Sequence, residues 1–324
     1  ILSRLVGSEM CIRDRHINED LFSVDIKRFQ QFHSSKKFIM ERVTETLGDL
    51  YGMHWPYKQH KTSRNQITLP YHEELKKLGA CFGSSGGFER PMWYSLNGAN
   101  AEYEYSFGYQ NWYPSAEYET KNTRKNVGLF ELTPFSKFDV AGENVHDELQ
   151  KLCTANIKDV EGRSTYTQML NEDGGIETDV TITCLTKNHF RIIGPAATRE
   201  HDKFHIKKYL SEKINFKDVT EDFACLGLYG PNTRKLLSNI SDDDFSNEGI
   251  KFSHGKKVNI DGIDVWAQRL SYVGEIGFEL YVRIEDSKKL FLTIVNEGKN
   301  HNLSLCGAHA MDIMRMESGF LHWG

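Results

Sequence analysis

Apolar residues recur along this chain at two spacings, and each change of spacing marks an element. In residues 36–54, Phe38, Ile39, Val43, Leu47, Leu50 and Met53 fall mostly three or four apart, which gathers them on one face of a helix. Residues 71–79 read as a shorter helix that Gly79 stops. The stretch 83–91 (GSSGGFERP) reads as a glycine-rich loop. It has neither a dinucleotide fingerprint nor the Lys-Ser/Thr of a P-loop, so no phosphate cradle is expected there. Residues 116–128 read as helix, Lys137–Ala141 alternates as a strand, and 143–153 returns to helical spacing. Tyr166–Asn171 and Asp179–Leu185 are strand-like runs on either side of Asp173-Gly174-Gly175, a hairpin turn. Strand patterns come next at His189–Ile193, Phe223–Tyr229, 257–260, 263–270 and Phe278–Val282. Helices are expected at 198–212, from Pro231, at 286–298 and at 307–317, and Asp261-Gly262 marks a second hairpin. Strand pairs joined by hairpins, with helices between them, predict an α+β fold with antiparallel sheets and flanking helices.

A chain of 324 residues has room for two or three domains, and the polar, aperiodic stretch at 97–105 divides it into 16–105 and 106–324. Its 39% hydrophobic and 26% charged residues are those of an ordinary globular protein. Forty basic and forty-five acidic residues are interspersed, so no nucleic-acid partner is expected. No run approaches the roughly 20 apolar residues needed to span a bilayer, so no membrane partner is expected either. The six cysteines, at 11, 81, 153, 184, 225 and 306, form no metal-binding pair and read as small buried thiols of a reduced compartment. Residues 5–15 (LVGSEMCIRDR) are out of place beside the rest of the chain. Glu-Met-Cys-Ile-Arg-Asp translates a string that resembles a transposase adapter, so residues 1–15 are read as adapter-derived and left out of the fold. On that reading the natural N-terminus is missing, targeting cannot be read, and the abrupt stop at Gly324 makes the chain a fragment.

Two acids stand out. Asp179 opens an otherwise apolar and β-branched strand, Val180-Thr181-Ile182-Thr183, where a buried carboxylate needs a cation, donors or a role. A structural cap and a catalytic acid both meet that need. Glu279 lies between Phe278 and Leu280, so alternation turns it to the opposite face from both. It is an ordinary glutamate if that face is solvent, and it must answer a ligand donor if that face lines a cavity. His201 and His205 lie four apart on a helix without a third metal ligand and read as a solvated face among Lys203, Lys207 and Lys208. Asp242-Asp243-Asp244 lacks EF-hand spacing and reads as a loop.

From about Phe107 the chain resembles the folate-binding domain of the glycine-cleavage aminomethyltransferase (T-protein) family. The resemblance is carried by Val127-Gly128-Leu129-Phe130, Tyr166 to Asp179, Tyr272 to Glu279 and Arg315-Met316-Glu317. Upstream, Gly86 to Tyr94 (GGFERPMWY) and Tyr105 to Trp112 (YSFGYQNW) resemble the joint of dimethylglycine and sarcosine dehydrogenases, in which a flavin oxidoreductase unit is fused to a T-protein-like unit. The resemblance covers about 20–324. It implies that 16–105 is the tail of an FAD-dependent oxidoreductase and that 106–324 is an aminomethyltransferase-like domain, truncated at its C-terminus. The missing C-terminal barrel would leave apolar surface exposed. It further implies Asp179 as the catalytic acid at the reacting pterin nitrogens, Glu279 as the grip on the pterin ring, and Tyr166 and Tyr272 as lining for the cofactor. Such roles are physically sound. A carboxylate accepts two parallel N–H donors as a fork, and an aspartate beside a developing iminium stabilises its charge. Two departures are visible: Met311 stands where aminomethyltransferases usually carry an arginine, and Ile193-Gly194-Pro195 lacks their asparagine.

The function so implied is the folate-binding part of a flavin-linked demethylating dehydrogenase or oxidase of dimethylglycine or sarcosine. Its cofactors are tetrahydrofolate and, in the missing N-terminal part, FAD. Its partners are a small methylamine substrate, folate and an electron carrier, in bacterial cytoplasm or the mitochondrial matrix. Two rivals stay open: a stand-alone aminomethyltransferase or folate-dependent demethylase, and a folate-binding module without catalysis.

Overall fold

The computed structural model describes residues 26–323. The adapter-like stretch before His16 lies outside the described residues. Helix α1 (Lys36–Asp49) and α2 (His72–Lys77) precede a hairpin of β1 (Ala80–Ser85) and β2 (Phe88–Tyr94). Then come α3 (Tyr113–Lys125), β3 (Val127–Glu131), β4 (Ser136–Ala141), α4 (Val145–Leu152), β5 (Ser164–Leu170), β6 (Ile176–Thr186) and β7 (His189–Gly194). The chain continues through α5 (Arg199–Tyr209), β8 (Asn215–Asp218), β9 (Phe223–Tyr229), α6 (Thr233–Ile240), β10 (Gly255–Ile260) and β11 (Ile263–Gln268). It closes with β12 (Gly277–Arg283), α7 (Ser287–Gly298), β13 (Leu303–Cys306) and α8 (Ala308–Glu317). The α+β class is as expected.

Two larger sheets carry the fold. One runs β10-β11-β12-β9-β3-β13 and the other β5-β6-β7-β4-β8. Their pairs are antiparallel except β13 beside β3, which is parallel. Alternation sorts each strand between two faces. In β12, Phe278, Leu280 and Val282 enter one core with Leu226 and Leu228 of β9 and with Leu290, Phe291 and Ile294 of α7. Val180, Ile182 and Cys184 of β6 enter a second core with Leu149 of α4 and Ile206 of α5. The opposite face of the six-stranded sheet meets a third cluster containing Phe130, Tyr229, Tyr281, Met311 and Met314, with Tyr272, Phe135 and Ile193 packed against it. Ile193 belongs to the five-stranded sheet, so this cluster is where the two sheets meet.

Several expectations change. The glycine-rich stretch 83–91 is the β1–β2 hairpin, turned at Gly86 and Gly87, whose φ of 56° and 87° suit residues without a Cβ. The helix expected at 116–128 ends at Lys125, and Val127–Glu131 is a fully buried strand. A strand covered on both faces shows no alternation, so periodicity passes over it. β8 and β13 are too short to show a period. Leu69, Tyr71, Leu75, Ala80 and Tyr94 join the first core, so residues 69–94 do not pack apart from the sheets that come after them. His205 is buried, with its ring against those of His201 and Tyr209, and does not lie on a solvated face. Helix α1 forms as its spacing predicts but docks by its polar side. Arg42 donates to the Thr62 carbonyl at 2.8 Å, and Glu45 accepts from the amides of Lys61 and Thr62 at 2.6 and 2.9 Å. Ile39, Met40, Val43 and Leu47 are left exposed.

Candidate functional site

Asp179 does not open its strand. β6 begins at Ile176, and Asp179 lies within it, half-buried, on the face turned away from the second core. Its register partner is Gln168, and the hydroxyl of Tyr166, diagonal on β5, donates to Asp179 Oδ2 at 2.7 Å. Removal from water, and then this bond to a carboxylate, push the Tyr166 phenol up to about 12. The proton of this bond therefore stays on Tyr166. Tyr272, on the loop before β12, is close enough for Asp179 to help raise its phenol. Burial is the larger cause, and Arg315 opposes it. The ring of Tyr272 stacks on Phe320 at 6.1 Å and its hydroxyl donates to the Leu321 carbonyl at 2.9 Å. Tyr166, Asp179 and Tyr272 are thus brought together from two sheets.

Glu279 projects from β12 into the third cluster. The hydroxyl of Tyr281 donates to it at 2.6 Å and that of Tyr229 at 3.5 Å. Burial raises the carboxyl above its ordinary value, and the two phenols only partly offset this. Along the row of register partners Glu279 stands between Gln268 and Gly227. A Cβ at Gly227 would lie 2.6 Å from the Tyr229 ring and 2.8 Å from Leu132, so a side chain there would displace the tyrosine that donates to Glu279. Tyr272 packs against the same cluster that contains Tyr229 and Tyr281, so the Asp179 group and Glu279 border one apolar cluster.

Two further residues enter that periodicity did not single out. Gln268 is 1% exposed, and its Oε1 accepts from the indole of Trp266 at 3.0 Å. An indole only donates, which fixes the amide orientation and leaves Nε2 buried without an acceptor. Arg90 reaches from β2 to Met311 of α8, with Nη2 3.6 Å from the sulfur. Neither residue breaks a pattern in the sequence; only packing exposes them. A surface hollow lined by Ser238, Asp242, Asp243, Asp261, Thr293 and Glu297 contains none of these residues. Among the described residues no cluster of His, Cys, Asp or Glu fits a metal, and no helix is long and apolar enough to cross a membrane.

Comparison with known proteins gives this arrangement a family. The GCVT N-terminal domain matches residues 71–324. The chain belongs to the GCVT family. The central domain of FAD dependent oxidoreductases matches residues 16–68, so the GCVT domain comes after an oxidoreductase segment, the order expected from the dimethylglycine and sarcosine dehydrogenases. The chain is 38% identical to 4-methylaminobutanoate oxidase (formaldehyde-forming) of Paenarthrobacter nicotinovorans, over 94% of this chain and 37% of that protein. It is 27% identical to mitochondrial dimethylglycine dehydrogenase of Rattus norvegicus, over 94% of this chain and 36% of the relative. It thus spans little more than a third of the length of these relatives. Among solved structures, aminomethyltransferase T of the Bartonella henselae glycine cleavage system superposes with a TM-score of 0.65 at 24% identity, over 79% of this chain and 64% of that one. That likeness confirms the GCVT fold.

Proposed function

We propose that this GCVT chain is the tetrahydrofolate-binding part of a flavin-linked oxidoreductase that demethylates a small N-methylated amino acid. FAD belongs to the oxidoreductase unit of which residues 16–68 are a piece, and dimethylglycine, sarcosine and 4-methylaminobutanoate all fall within the substrate class. The observation that carries the reading is the pair of tyrosine-held carboxylates, Asp179 and Glu279, bordering one apolar cluster. A reduced pterin supplies the nucleophilic nitrogen that accepts a one-carbon unit.

The residues suit such a ligand. Glu279 is an acceptor short of donors, and the adjacent 2-amino and ring N–H groups of a pterin form a matching fork. The orphaned Nε2 of Gln268, on the same row, would supply a donor to a pterin carbonyl held beside Glu279. Asp179 accepts from the Tyr166 hydroxyl, and a carboxylate so held would stabilise positive charge on a one-carbon iminium beside it. Tyr166 and Tyr272 border the site with ring surface. Electrons removed from the substrate leave through a separate carrier or oxygen.

The test replaces Asp179 with Asn in the complete enzyme, keeping shape and removing charge. Amine oxidation should stay near the native rate, methylenetetrahydrofolate formation should fall about tenfold or more, and free formaldehyde should accumulate. Native-rate formation of methylenetetrahydrofolate by that variant would make Asp179 a strand residue and refute its role.

A further inference from the structure

We infer that Arg90 is a carboxylate-binding residue of this site, its partner arriving with the ligand; this rests on the folate reading and extends it to a residue outside the two acids. The guanidinium has no carboxylate within 4 Å among the described residues. Its one hydrogen-bond acceptor there is the thioether of Met311 at 3.6 Å, a weak one. Nε is closed off from solvent with no acceptor. Its Cζ lies over the Phe135 ring, 5.8 Å from the ring centre. Two carboxylates are close enough to influence Arg90, and both are engaged elsewhere. Glu131 accepts from the hydroxyl of Tyr71 and from the Thr133 amide at 2.8 Å, and Asp312 is paired with Arg315 at 2.7 Å. Burial accordingly pushes the guanidinium down to about 10.

A cation partly withdrawn from water without a partner is unfavourable, so either the fold absorbs it or a ligand answers it. Location favours the ligand. Met311 and Phe135 belong with Tyr272 to the cluster that contains Tyr229 and Tyr281, the two donors to Glu279. Asp312, which acts on Arg90, also acts on Tyr272, which in turn feels Asp179. The hairpin that carries Arg90 spans both sheets: a Cβ on Gly86, at its tip, would lie 2.8 Å from the carbonyl of Ala196, beyond β7. A planar fork suits a carboxylate. Both expected ligands bear one: the glutamyl tail of folate, and the amino acid whose methyl group is removed.

The experiment uses the complete enzyme and Arg90→Met, with Arg90→Gln as a second variant. Tetrahydrofolate, 6-methyltetrahydropterin (which has no carboxylate) and the demethylated amino acid, glycine or 4-aminobutanoate, are titrated into each, and ligand-free melting is recorded. Affinity should fall roughly ten- to hundredfold for tetrahydrofolate if the folate tail is the partner, or for the amino acid if that is the partner. Binding of 6-methyltetrahydropterin should be unchanged, and ligand-free melting should be unchanged or higher, because an unpaired half-buried charge is gone. Equal binding of all three ligands by wild type and both variants overturns the inference, as does lowered melting without any loss of affinity. A wild-type enzyme that fails to bind tetrahydrofolate refutes the folate reading instead, and the amino-acid titration then decides for or against Arg90 by itself.

Discussion

Glu279 sits where its own charge is poorly supported. Burial raises its carboxyl above the usual value of 4.5, and the phenols of Tyr281 and Tyr229 recover only part of the loss. The folded chain therefore holds this proton more tightly than the unfolded chain does. This contribution to stability is fully present below pH 4.5 and is lost as pH rises through the raised value. Ligand affinity should run the opposite way over the same window, because a fork of N–H donors needs the ionised acceptor. Glu279→Gln should abolish both trends. It should leave melting level with or above wild type near neutral pH and weaken tetrahydrofolate binding by about 1.5–3 kcal/mol. Melts and titrations from about pH 4.5 to 8 on wild type and variant would decide it. Undiminished affinity in the variant would return Glu279 to the rank of an ordinary strand residue.

Helix α8 is fixed to the segment between β2 and α3 by His309, which is 4% exposed, stacked on Trp112 at 3.9 Å and bonded to the Tyr103 hydroxyl at 2.7 Å. Burial lowers its pKa from 6.5 to about 4. Between those values the unfolded chain binds a proton that the folded one refuses. The stabilisation is complete above pH 6.5 and drains away as pH falls towards 4, by at most about 3 kcal/mol. His309→Phe keeps a ring in the stack and should flatten that part of the melting-versus-pH curve; an unchanged slope would place the acid sensitivity elsewhere. The sequence announces α8 by spacing, and it announces the hairpins around Asp173-Gly174-Gly175 and Asp261-Gly262 by turn residues, because both signals are local. It is silent on β3, whose five buried residues do not alternate, and on the β1–β2 hairpin, whose glycines read as loop. Asp179 and Glu279 stand out as acids in apolar strands. Gln268 and Arg90 do not, since an unmet hydrogen bond is a property of packing and has no sequence period.

At the scale of the whole chain, the feature out of keeping with its sequence is α1. A helix with such spacing ordinarily buries its apolar stripe, yet Val43 is 49% and Leu47 64% exposed while Arg42 and Glu45 make the contacts inward. The helix lies within the segment that matches the oxidoreductase central domain, and the chain spans 37% of its oxidase relative. The stripe is therefore surface that this chain by itself does not cover, and contiguous apolar surface promotes association. Purified alone, the chain should bind an apolar dye and scatter light increasingly with concentration. Val43→Lys with Leu47→Lys, one helical turn apart, should suppress both. Melting should stay near that of the parent, since exposed substitutions away from caps and cores usually alter stability by no more than about 0.5 kcal/mol. If the double variant associates as strongly as the parent, the sticky surface lies elsewhere. If it melts well below the parent, Val43 and Leu47 are packed in solution and α1 is seated the other way round.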